Sequence, residues 1–494
     1  MNAALTRLEK SKIFWFLLGL NVLFFLFRLP AIIEPHWYGD EGIYQIIGMA
    51  MHQGHMLYAT VWDNKPPFLY VTYALFAGDQ QSVRLFAIFV GILTNIAFFF
   101  LARQLLQRFL PAAIATGFFA FLFATPFLEG NIANAENFML LPIIVAAYLV
   151  YAKRNYFLHT KIPTLFVAGL LLGTAFLFKT VAIFDLGAFS LFLILIKIHE
   201  VFSVKKIFLT LRYLLPLFLG FLIPLCMTIV YFAWYTTLDA FFAAAFAGNI
   251  AYVGYENVWI IPQGLLILKT LLLLFFLFLI IRHRRSLSPK LLFIFIWLTF
   301  SLYSACFSQR PYTHYLLIAL PALSLLIGYI VLAPMKKSTA GLLFLVLAIG
   351  MFIGQSFYFY GWGKTINYYQ NALTFLIGQK SVTDYRTFFD PQTPRDYEIA
   401  AFIKKQLPID ATVYIWGDSP QIYALANKIP PQRYTSSYHV AGNTQRIEET
   451  RQTLLLNKPD YLIILDEAPP LSFHLPSYQV KYILKGATIY ERSF

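Results

Sequence analysis

The feature that most constrains this chain is a series of apolar runs, each long enough to cross a lipid bilayer as a helix. The first run, residues 13–33, is almost free of charge apart from Arg28. At about 1.5 Å of rise per residue it spans the roughly 30 Å hydrocarbon core. Similar runs lie near 82–102, 111–128, 134–152, 163–178, 181–197, 208–235, 261–281, 290–307, 314–333 and 338–358. Because backbone polar groups have no water partners in lipid, the sequence predicts an all-α polytopic membrane bundle of about 11 transmembrane helices.

The positions of the charged residues predict how these helices are oriented. Only 13% of the 494 residues are charged, and the net charge is +14. Such a charge is compatible with nucleic-acid binding, but the cations gather in alternate loops, as the positive-inside rule predicts for a membrane protein. With the N-terminus in the cytoplasm, few cations remain on the outer side: Arg28, Lys65, Arg84, Lys179, Arg310 and, near a helix end, Lys269. An odd number of spans then places the C-terminal region outside the cytoplasm.

The acidic residues have the opposite distribution. Before residue 359 only Glu9 and Glu200 are expected to face the cytoplasm. The outer side holds Glu34, Asp40, Glu41, Asp63, Asp79, Glu129, Glu136, Asp185, Asp239 and Glu256. Acidic residues contribute little to orientation, so topology does not require this concentration. It indicates chemistry or cation binding at the outer face.

The chain divides into two predicted domains. Residues 1–358 form the transmembrane domain, with a long polar outer loop at 34–81. The stretch after Gly42 in this loop predicts an amphipathic helix on the membrane surface. Residues 359–494 are more polar, and helix patterns at 396–407 and 444–457 alternate with strand patterns at 411–417 and 459–467. This alternation predicts a small extracytoplasmic α/β domain.

Several common chemistries have no motif in the sequence. It contains no P-loop, no dinucleotide fingerprint and no G-x-S-x-G motif, so nothing indicates that a soluble nucleotide supplies energy. Cys226 and Cys306 both fall in predicted spans and are interpreted as buried thiols without a disulfide framework.

Two motifs in the outer loop carry candidate catalytic residues. The first is GDEG at 39–42, directly after the first helix. Adjacent carboxylates at a membrane interface are costly unless paired. They indicate either a reaction site or a helix start, with Asp40 as the cap and Glu41 in the first turn. The second motif is WDNKPP at 62–67. Its Lys65 lies at the depth of a lipid-linked phosphate, or snorkels to the interface.

Two later segments add further candidates. Glu136 begins the helix pattern AENFMLL, where it is either a site residue or a capping group. In SQRPYTHY at 308–315, Arg310 can bind a phosphate through two parallel hydrogen bonds, or pair with an outer carboxylate. The nearby cation Lys179 is expected to pair with Asp185.

The order of these elements resembles that of the GT-C glycosyltransferases. Within them it resembles the bacterial branch related to dolichyl-phosphate-mannose protein mannosyltransferases and lipid A aminoarabinose transferases. Over residues 10–360 a first helix precedes an outer loop that begins with Asp40 and Glu41. A G-x-x-Y-x-x-x-W-D-x-K-P-P pattern follows at 54–67, then AENFMLL and RPYTHYLLIALP. The combination is more specific than any single motif. Glu136 is a departure, because some members carry Asp there.

The resemblance implies a GT-C fold and an inverting sugar transfer from a polyprenyl-phosphate donor. The acceptor is a hydroxyl on protein, lipid A or a cell-surface glycan, and the reaction takes place on the extracytoplasmic face of the inner (plasma) membrane. Asp40 is then the expected base. Glu41 and Glu136 orient the acceptor, and a divalent cation, if used, is held by Asp40 and Glu136.

The resemblance also implies which residues bind the donor. Lys65 and Arg310 stabilise the departing phosphate, because preorganised cations offset the charge that develops there. Side chains that line the sugar or phosphate pocket are expected to be Tyr58, Asp63, Tyr312 and His314.

Two other functions fit parts of this pattern. A transferase that uses a lipid-diphosphate donor needs a similar set of cations and the same topology. A transporter or flippase for lipid or sugar places charged residues near the bilayer midplane and often contains inverted repeats. Here the charges gather at one face and no repeat is present, so the pattern favours an enzyme.

Overall fold

Helices dominate the part of the chain that the structure describes. The computed structural model describes residues 2–152, 162–197, 204–254, 256–310, 312–332, 361–473, 475 and 477–493. Its helices up to residue 332 are α1 (Asn2–Ile33), α2 (Gly39–His52), α3 (Pro67–Leu75), α4 (Gln80–Leu106), α5 (Phe109–Ala124), α6 (Ala135–Ala152), α7 (Ile162–Phe178), α8 (Ile183–Lys197), α9 (Val204–Trp234), α10 (Leu238–Phe242), α11 (Gly248–Gly254), α12 (Gly264–His283), α13 (Pro289–Ala305) and α14 (Leu320–Leu332). Later elements are α15 (Gly361–Leu376), α16 (Val382–Thr387), α17 (Thr393–Gln406), β1 (Val413–Trp416), α18 (Gln421–Ala426), α19 (Thr444–Asn457), β2 (Tyr461–Leu465), β3 (Tyr478–Leu484) and β4 (Ala487–Arg492).

The predicted membrane spans coincide with apolar helices wherever the structure describes them. Six described helices are long and apolar enough to cross a membrane: Glu9–Ile33, Gln80–Leu106, Ala135–Ala152, Thr180–Lys197, Arg212–Trp234 and Gly264–His283. Shorter apolar helices occupy four more predicted positions: Phe109–Ala124, Pro163–Phe178, Pro289–Ala305 and Leu320–Val331. The predicted span 338–358 and the predicted domain boundary after 358 lie outside the described residues. The helical membrane bundle is thus confirmed, whereas the total of eleven spans stays a prediction.

The described residues group into two compact units. The first unit contains Met1–Leu29, Phe86–Tyr231 and Asn249–Thr365. The second contains Pro30–Leu85, Phe232–Gly248 and Ile366–Phe494, so the outer loop and the C-terminal region belong to one unit.

Close helix packing holds the first unit together. α6 packs on α7, α5 on α14, and α13 on α8, α12 and α14. Glycines permit the closest backbone approaches. A Cβ atom at Gly169 would lie 2.0 Å from the carbonyl oxygen of Leu217, and one at Gly220 would lie 2.1 Å from that of Phe166. In lipid there is no hydrophobic drive between helices, so small residues of this kind contribute much of the packing.

A four-stranded sheet with strand order β1-β2-β4-β3 forms the C-terminal part of the second unit. β1 and β2 are parallel, whereas β4 is antiparallel to both β2 and β3. The predicted α/β domain is confirmed, including α17, β1, α19 and β2. β3 and β4 were not predicted from the sequence, because β3 exposes most of its side chains and carries no apolar pattern.

The helix predicted after Gly42 is α2, but it does not lie on the membrane surface. Every residue from Glu41 to Ala50 is buried, and α2 packs against both α3 and α18. Ile46 belongs to the apolar core beneath the sheet. The prediction of a surface helix is wrong because apolar side chains occupy all faces of α2 rather than one. Asp40 is not the cap either: the cap residue is Tyr38, and Asp40 lies in the first turn.

We expect Gly169→Leu to destabilise the bundle, because the new side chain would overlap the backbone of Leu217. Overpacking of this kind costs about 1–3 kcal/mol or more. The measurement is the thermal unfolding midpoint of the purified protein in detergent. Gly117→Leu is the matched control, since a Cβ atom there has no neighbour within 4 Å. Equal midpoints for the two variants would contradict the close approach.

Candidate active site

The WDNKPP motif is held in a fixed shape by Tyr58. Tyr58 has a positive φ of 67° and is fully buried. Its backbone N–H donates to the carbonyl of Val61 at 2.7 Å, and its hydroxyl donates to the carbonyl of Lys65 at 2.6 Å. Pro66 and Pro67 then start α3 directly after Lys65. The chain therefore has little freedom at Lys65, because the residues on both sides are conformationally restricted.

Lys65 lies between two carboxylates of the outer loop. Its Nζ is 3.3 Å from Asp40 Oδ2 and 3.6 Å from Asp63 Oδ2. Tyr44 donates to Asp40 at 3.0 Å, and Tyr70 donates to Asp63 at 2.7 Å. Burial lowers the pKa of Lys65, but Asp40 and Asp63 outweigh burial and hold this pKa well above its ordinary value. Lys65 is therefore a permanent cation at neutral pH.

The two carboxylates differ in access. The side chain of Asp40 is 38% exposed, whereas that of Asp63 is only 4% exposed. A molecule arriving from outside can thus contact Asp40 directly. Asp63 instead anchors Lys65 from beneath.

Glu41 lies in a different environment from Asp40. Its carboxylate accepts two hydrogen bonds from Arg84, one of them from Nε at 3.0 Å. Arg84 also donates to the carbonyl of Ala31 at 2.6 Å and lies 3.5 Å from Glu34. Glu34 accepts a further hydrogen bond from Tyr368. Arg84, Glu34 and Glu41 are all buried, so they form a closed ion-pair network behind α2.

The C-terminal region contributes side chains next to the same motif. The backbone N–H of Trp62 donates to the carbonyl of Arg433 at 2.9 Å, and the indole ring contacts His439 with 5.1 Å between ring centroids. His439 Nε2 is 3.8 Å from Asp63 Oδ1. Burial lowers the pKa of His439 to about 4, so its imidazole is neutral at pH 7. No motif in the sequence indicates His439, because its partners come from a distant part of the chain.

In the first unit, Glu136 is buried and forms an ion pair with Lys179. The predicted pair of Lys179 with Asp185 is wrong. Asp185 instead accepts a hydrogen bond from the indole of Trp297 at 2.7 Å. Lys179 and Asp185 are near neighbours in sequence, but Glu136, 43 residues away, reaches the lysine in the folded bundle.

Aromatic side chains connect this pair to Arg310. The ammonium of Lys179 lies 3.8 Å from the ring centre of Tyr315, whose hydroxyl is 2.7 Å from that of Tyr252. The guanidinium of Arg310 lies 4.6 Å from the ring centre of Tyr252. These contacts place two cations and Glu136 along one row of aromatic rings.

His314 and Tyr312 lie in the same segment as Arg310. His314 Nδ1 is 2.7 Å from Glu129 Oε2, and Thr313 donates to the other oxygen of Glu129 at 2.6 Å. The ring of Tyr312 stacks on that of His314 and is 42% exposed. Tyr312 is therefore open to a ligand, whereas His314 is bound to a carboxylate.

The carboxylates predicted to hold a divalent cation do not fit that function well. Asp40 is paired with Lys65, and Glu136 is paired with Lys179. Within the described ranges, no group of three or more His, Cys, Asp or Glu side chains is arranged to hold a metal ion. We therefore derive no step that uses a metal.

The fold is that of a polytopic GT-C glycosyltransferase, which confirms at the level of the fold the resemblance seen in the sequence. It matches the crystal structure of ArnT from Cupriavidus metallidurans bound to undecaprenyl phosphate with a TM-score of 0.54 and 16% identity, over 97% of this chain and 98% of that chain. The apo crystal structure of the same ArnT gives an equal TM-score and identity over 98% of both chains.

A more distant likeness is to the archaeal oligosaccharyltransferase AglB from Archaeoglobus fulgidus, in complex with an inhibitory peptide and a dolichol-phosphate. The TM-score is 0.46 and the identity is 13%, over 92% of this chain and 70% of that chain. Neither a protein-family model nor a curated protein sequence matches this chain.

Replacing Arg84 with Met is expected to destabilise the protein strongly. It would leave Glu34 and Glu41 buried without their cation, and breaking a buried pair costs about 3–5 kcal/mol. The measurement is again the thermal unfolding midpoint. The matched control is Arg103→Met on the same helix, because Arg103 pairs with Glu9 near the surface and exposed pairs contribute about 0–1 kcal/mol. A midpoint for Arg84→Met as high as that of the control would refute this account of Arg84.

Proposed function

We propose that this protein is a membrane glycosyltransferase. It moves a sugar from a polyprenyl-phosphate donor to an acceptor hydroxyl, with inversion, on the extracytoplasmic face of the plasma membrane. The observation that carries the proposal is the pair at the start of α2: Asp40 is partly exposed, and Lys65 lies 3.3 Å from it. A base and a cation for a phosphate thus lie side by side in the outer loop.

The reaction assigns a task to each member of this pair. The acceptor oxygen attacks the anomeric carbon of the donor, and the bond from that carbon to the phosphate oxygen breaks. The acceptor proton passes to Asp40, which acts as general base. The leaving polyprenyl phosphate gains negative charge, which Lys65 stabilises as a preorganised cation. All atoms are then accounted for without a further reactant.

The other predicted site residues take supporting positions in this proposal. Arg310 is a second cation for the phosphate, held against Tyr252. Exposed Tyr312 contacts the sugar or the lipid phosphate, and Glu136 with Lys179 supplies a polar pair for the acceptor. Glu41 and Tyr58 are buried, and their contacts favour positioning: Glu41 fixes α2 through Arg84, and Tyr58 fixes Lys65 through its carbonyl.

The fold and the charge distribution support the donor class and the orientation. ArnT, which has the same fold, was crystallised with undecaprenyl phosphate, and this favours a polyprenyl phosphate as the carrier lipid here. Cations gather in the loops predicted to be cytoplasmic, which favours a cytoplasmic N-terminus and an outer site. The acceptor belongs to the class of protein, lipid A or glycan hydroxyls, and the sugar is a hexose or a pentose.

The test is transfer of labelled sugar from a panel of undecaprenyl-phosphate sugars. Purified protein in lipid is incubated with each donor, and a membrane extract supplies the acceptors. Transfer from at least one monophosphate donor supports the proposal. Transfer only from diphosphate donors would replace it with the lipid-diphosphate alternative. If folded protein transfers nothing from any donor, the transporter interpretation gains.

Asp40→Asn is expected to lower the transfer rate by about 10²- to 10⁴-fold, the usual contribution of a general base. The amide keeps the shape of the side chain but does not accept the proton. Asp79→Asn in the same loop is the control, because Asp79 is exposed and only caps the start of α4, which Asn also does. A wild-type rate for Asp40→Asn would refute the assignment of the base.

Lys65→Ala is expected to weaken donor binding more than it slows the bound donor. Hydrogen bonds to charged groups contribute about 1.5–3 kcal/mol, which corresponds to roughly 10- to 100-fold in the donor KM. Steady-state kinetics with varied donor separates KM from kcat. Lys405→Ala, an exposed residue of α17, is the control. An unchanged donor KM would remove Lys65 from the phosphate site.

A further inference from the structure

His439 is buried without using the hydrogen-bonding capacity of its ring. Its side chain is 4% exposed, and neither Nδ1 nor Nε2 has a hydrogen-bond partner among the described residues. Buried polar atoms are nearly always paired, so an unpaired ring at this position needs an explanation. At pH 7 the neutral ring carries one N–H donor and one acceptor nitrogen.

The position of His439 is fixed through its backbone rather than its ring. Asp418 accepts hydrogen bonds from the hydroxyl of Ser437 at 2.5 Å and from the backbone N–H of Tyr438 at 2.9 Å. Arg446 donates to the carbonyl of His439 at 2.8 Å and lies over the ring of Trp62. The turn is therefore well anchored, and the ring is held ready beside Asp63.

The nearest polar group to His439 Nε2 is the carboxylate of Asp63, at 3.8 Å. This distance is several tenths of an ångström too long for a hydrogen bond. The other oxygen of Asp63 faces Lys65 at 3.6 Å. Asp63 thus has a cation on one side and an N–H donor just out of reach on the other.

Donor binding changes the balance of charge at Asp63. When Lys65 turns toward a lipid phosphate, it loosens its hold on both carboxylates. Asp40 is 38% exposed, so water can replace Lys65 there. Asp63 is 4% exposed and keeps only the hydroxyl of Tyr70 and the backbone N–H of Asn64. A buried carboxylate that loses its cation is costly unless another donor takes its place.

We propose that His439 is a positioning residue that takes over Asp63 when Lys65 engages the donor phosphate. A small shift of the ring brings the Nε2–H within hydrogen-bond distance of Asp63, and Lys65 is released to the phosphate. This proposal rests on the proposed function, in which Lys65 binds that phosphate. It gives the C-terminal region a part in donor binding without any contact with the donor.

The test compares His439→Leu with His439→Gln in the full-length protein, with undecaprenyl phosphate as the probe. In the unliganded protein the ring makes no hydrogen bond, so the Leu variant should unfold at the wild-type temperature or above. Its affinity for undecaprenyl phosphate should fall about tenfold. The Gln variant offers an amide N–H and should restore most of that affinity.

A double-mutant cycle with Asp63→Asn makes the test specific. A neutral amide at 63 needs no replacement donor, so His439→Leu should have no further effect on affinity in that background. A lowered unfolding temperature for His439→Leu together with unchanged affinity would show a merely structural role and overturn the inference.

Binding also separates this inference from the proposed function. Wild-type and His439→Leu proteins that bind undecaprenyl phosphate equally well would overturn the inference alone. If wild-type protein does not bind undecaprenyl phosphate at all, both the inference and the monophosphate donor are overturned.

Discussion

The buried guanidinium of Arg84 is the constraint on which the outer part of this protein depends. It joins the end of α1, the following turn and α2 through Ala31, Glu34 and Glu41. Neighbouring residues on a helix point about 100° apart, because 3.6 residues complete a turn. When Glu41 turns inward to Arg84, Asp40 is therefore directed away from the ion-pair network, and its carboxylate remains partly exposed. The inward carboxylate fixes the position of the outward one.

The chemistry of the cations separates structure from function in this site. Arg84 uses its planar fork to hold Glu41 with two hydrogen bonds, and such a pair is rigid and permanently charged. The partners of Asp40 and Glu136 are lysines instead, Lys65 and Lys179. A lysine is a flexible point charge that can exchange one anion for another at little geometric cost. The arginine thus suits the framework, and the lysines suit positions where an anionic substrate arrives.

Local patterns predicted the parts of this structure that depend on local forces. The spans follow from apolar length, and α17, α19, β1 and β2 follow from periodicity. The WDNKPP motif places Asp63 and Lys65 close together by its spacing alone. The partners of Glu136 and Glu41 were beyond prediction, since each ion pair joins residues 43 positions apart. The scarcity of outer cations was the one available signal, because it singled out Arg84 and Lys179 before their partners were known. For His439 there was no signal, since its neighbours are set by the folded C-terminal region.

The burial of α2 has a consequence for the order of events during synthesis. One side of α2 packs on α3, which is translated soon afterwards, but Ile46 belongs to the core of a sheet that includes β1, β2 and β4. That core is complete only when residues near 489 have left the ribosome. Contacts of such long sequence separation form slowly, because a long loop must close first. The early outer loop must therefore wait, with an apolar face uncovered, until the last strand arrives. The finished α2 thereby reports that the whole chain has been made.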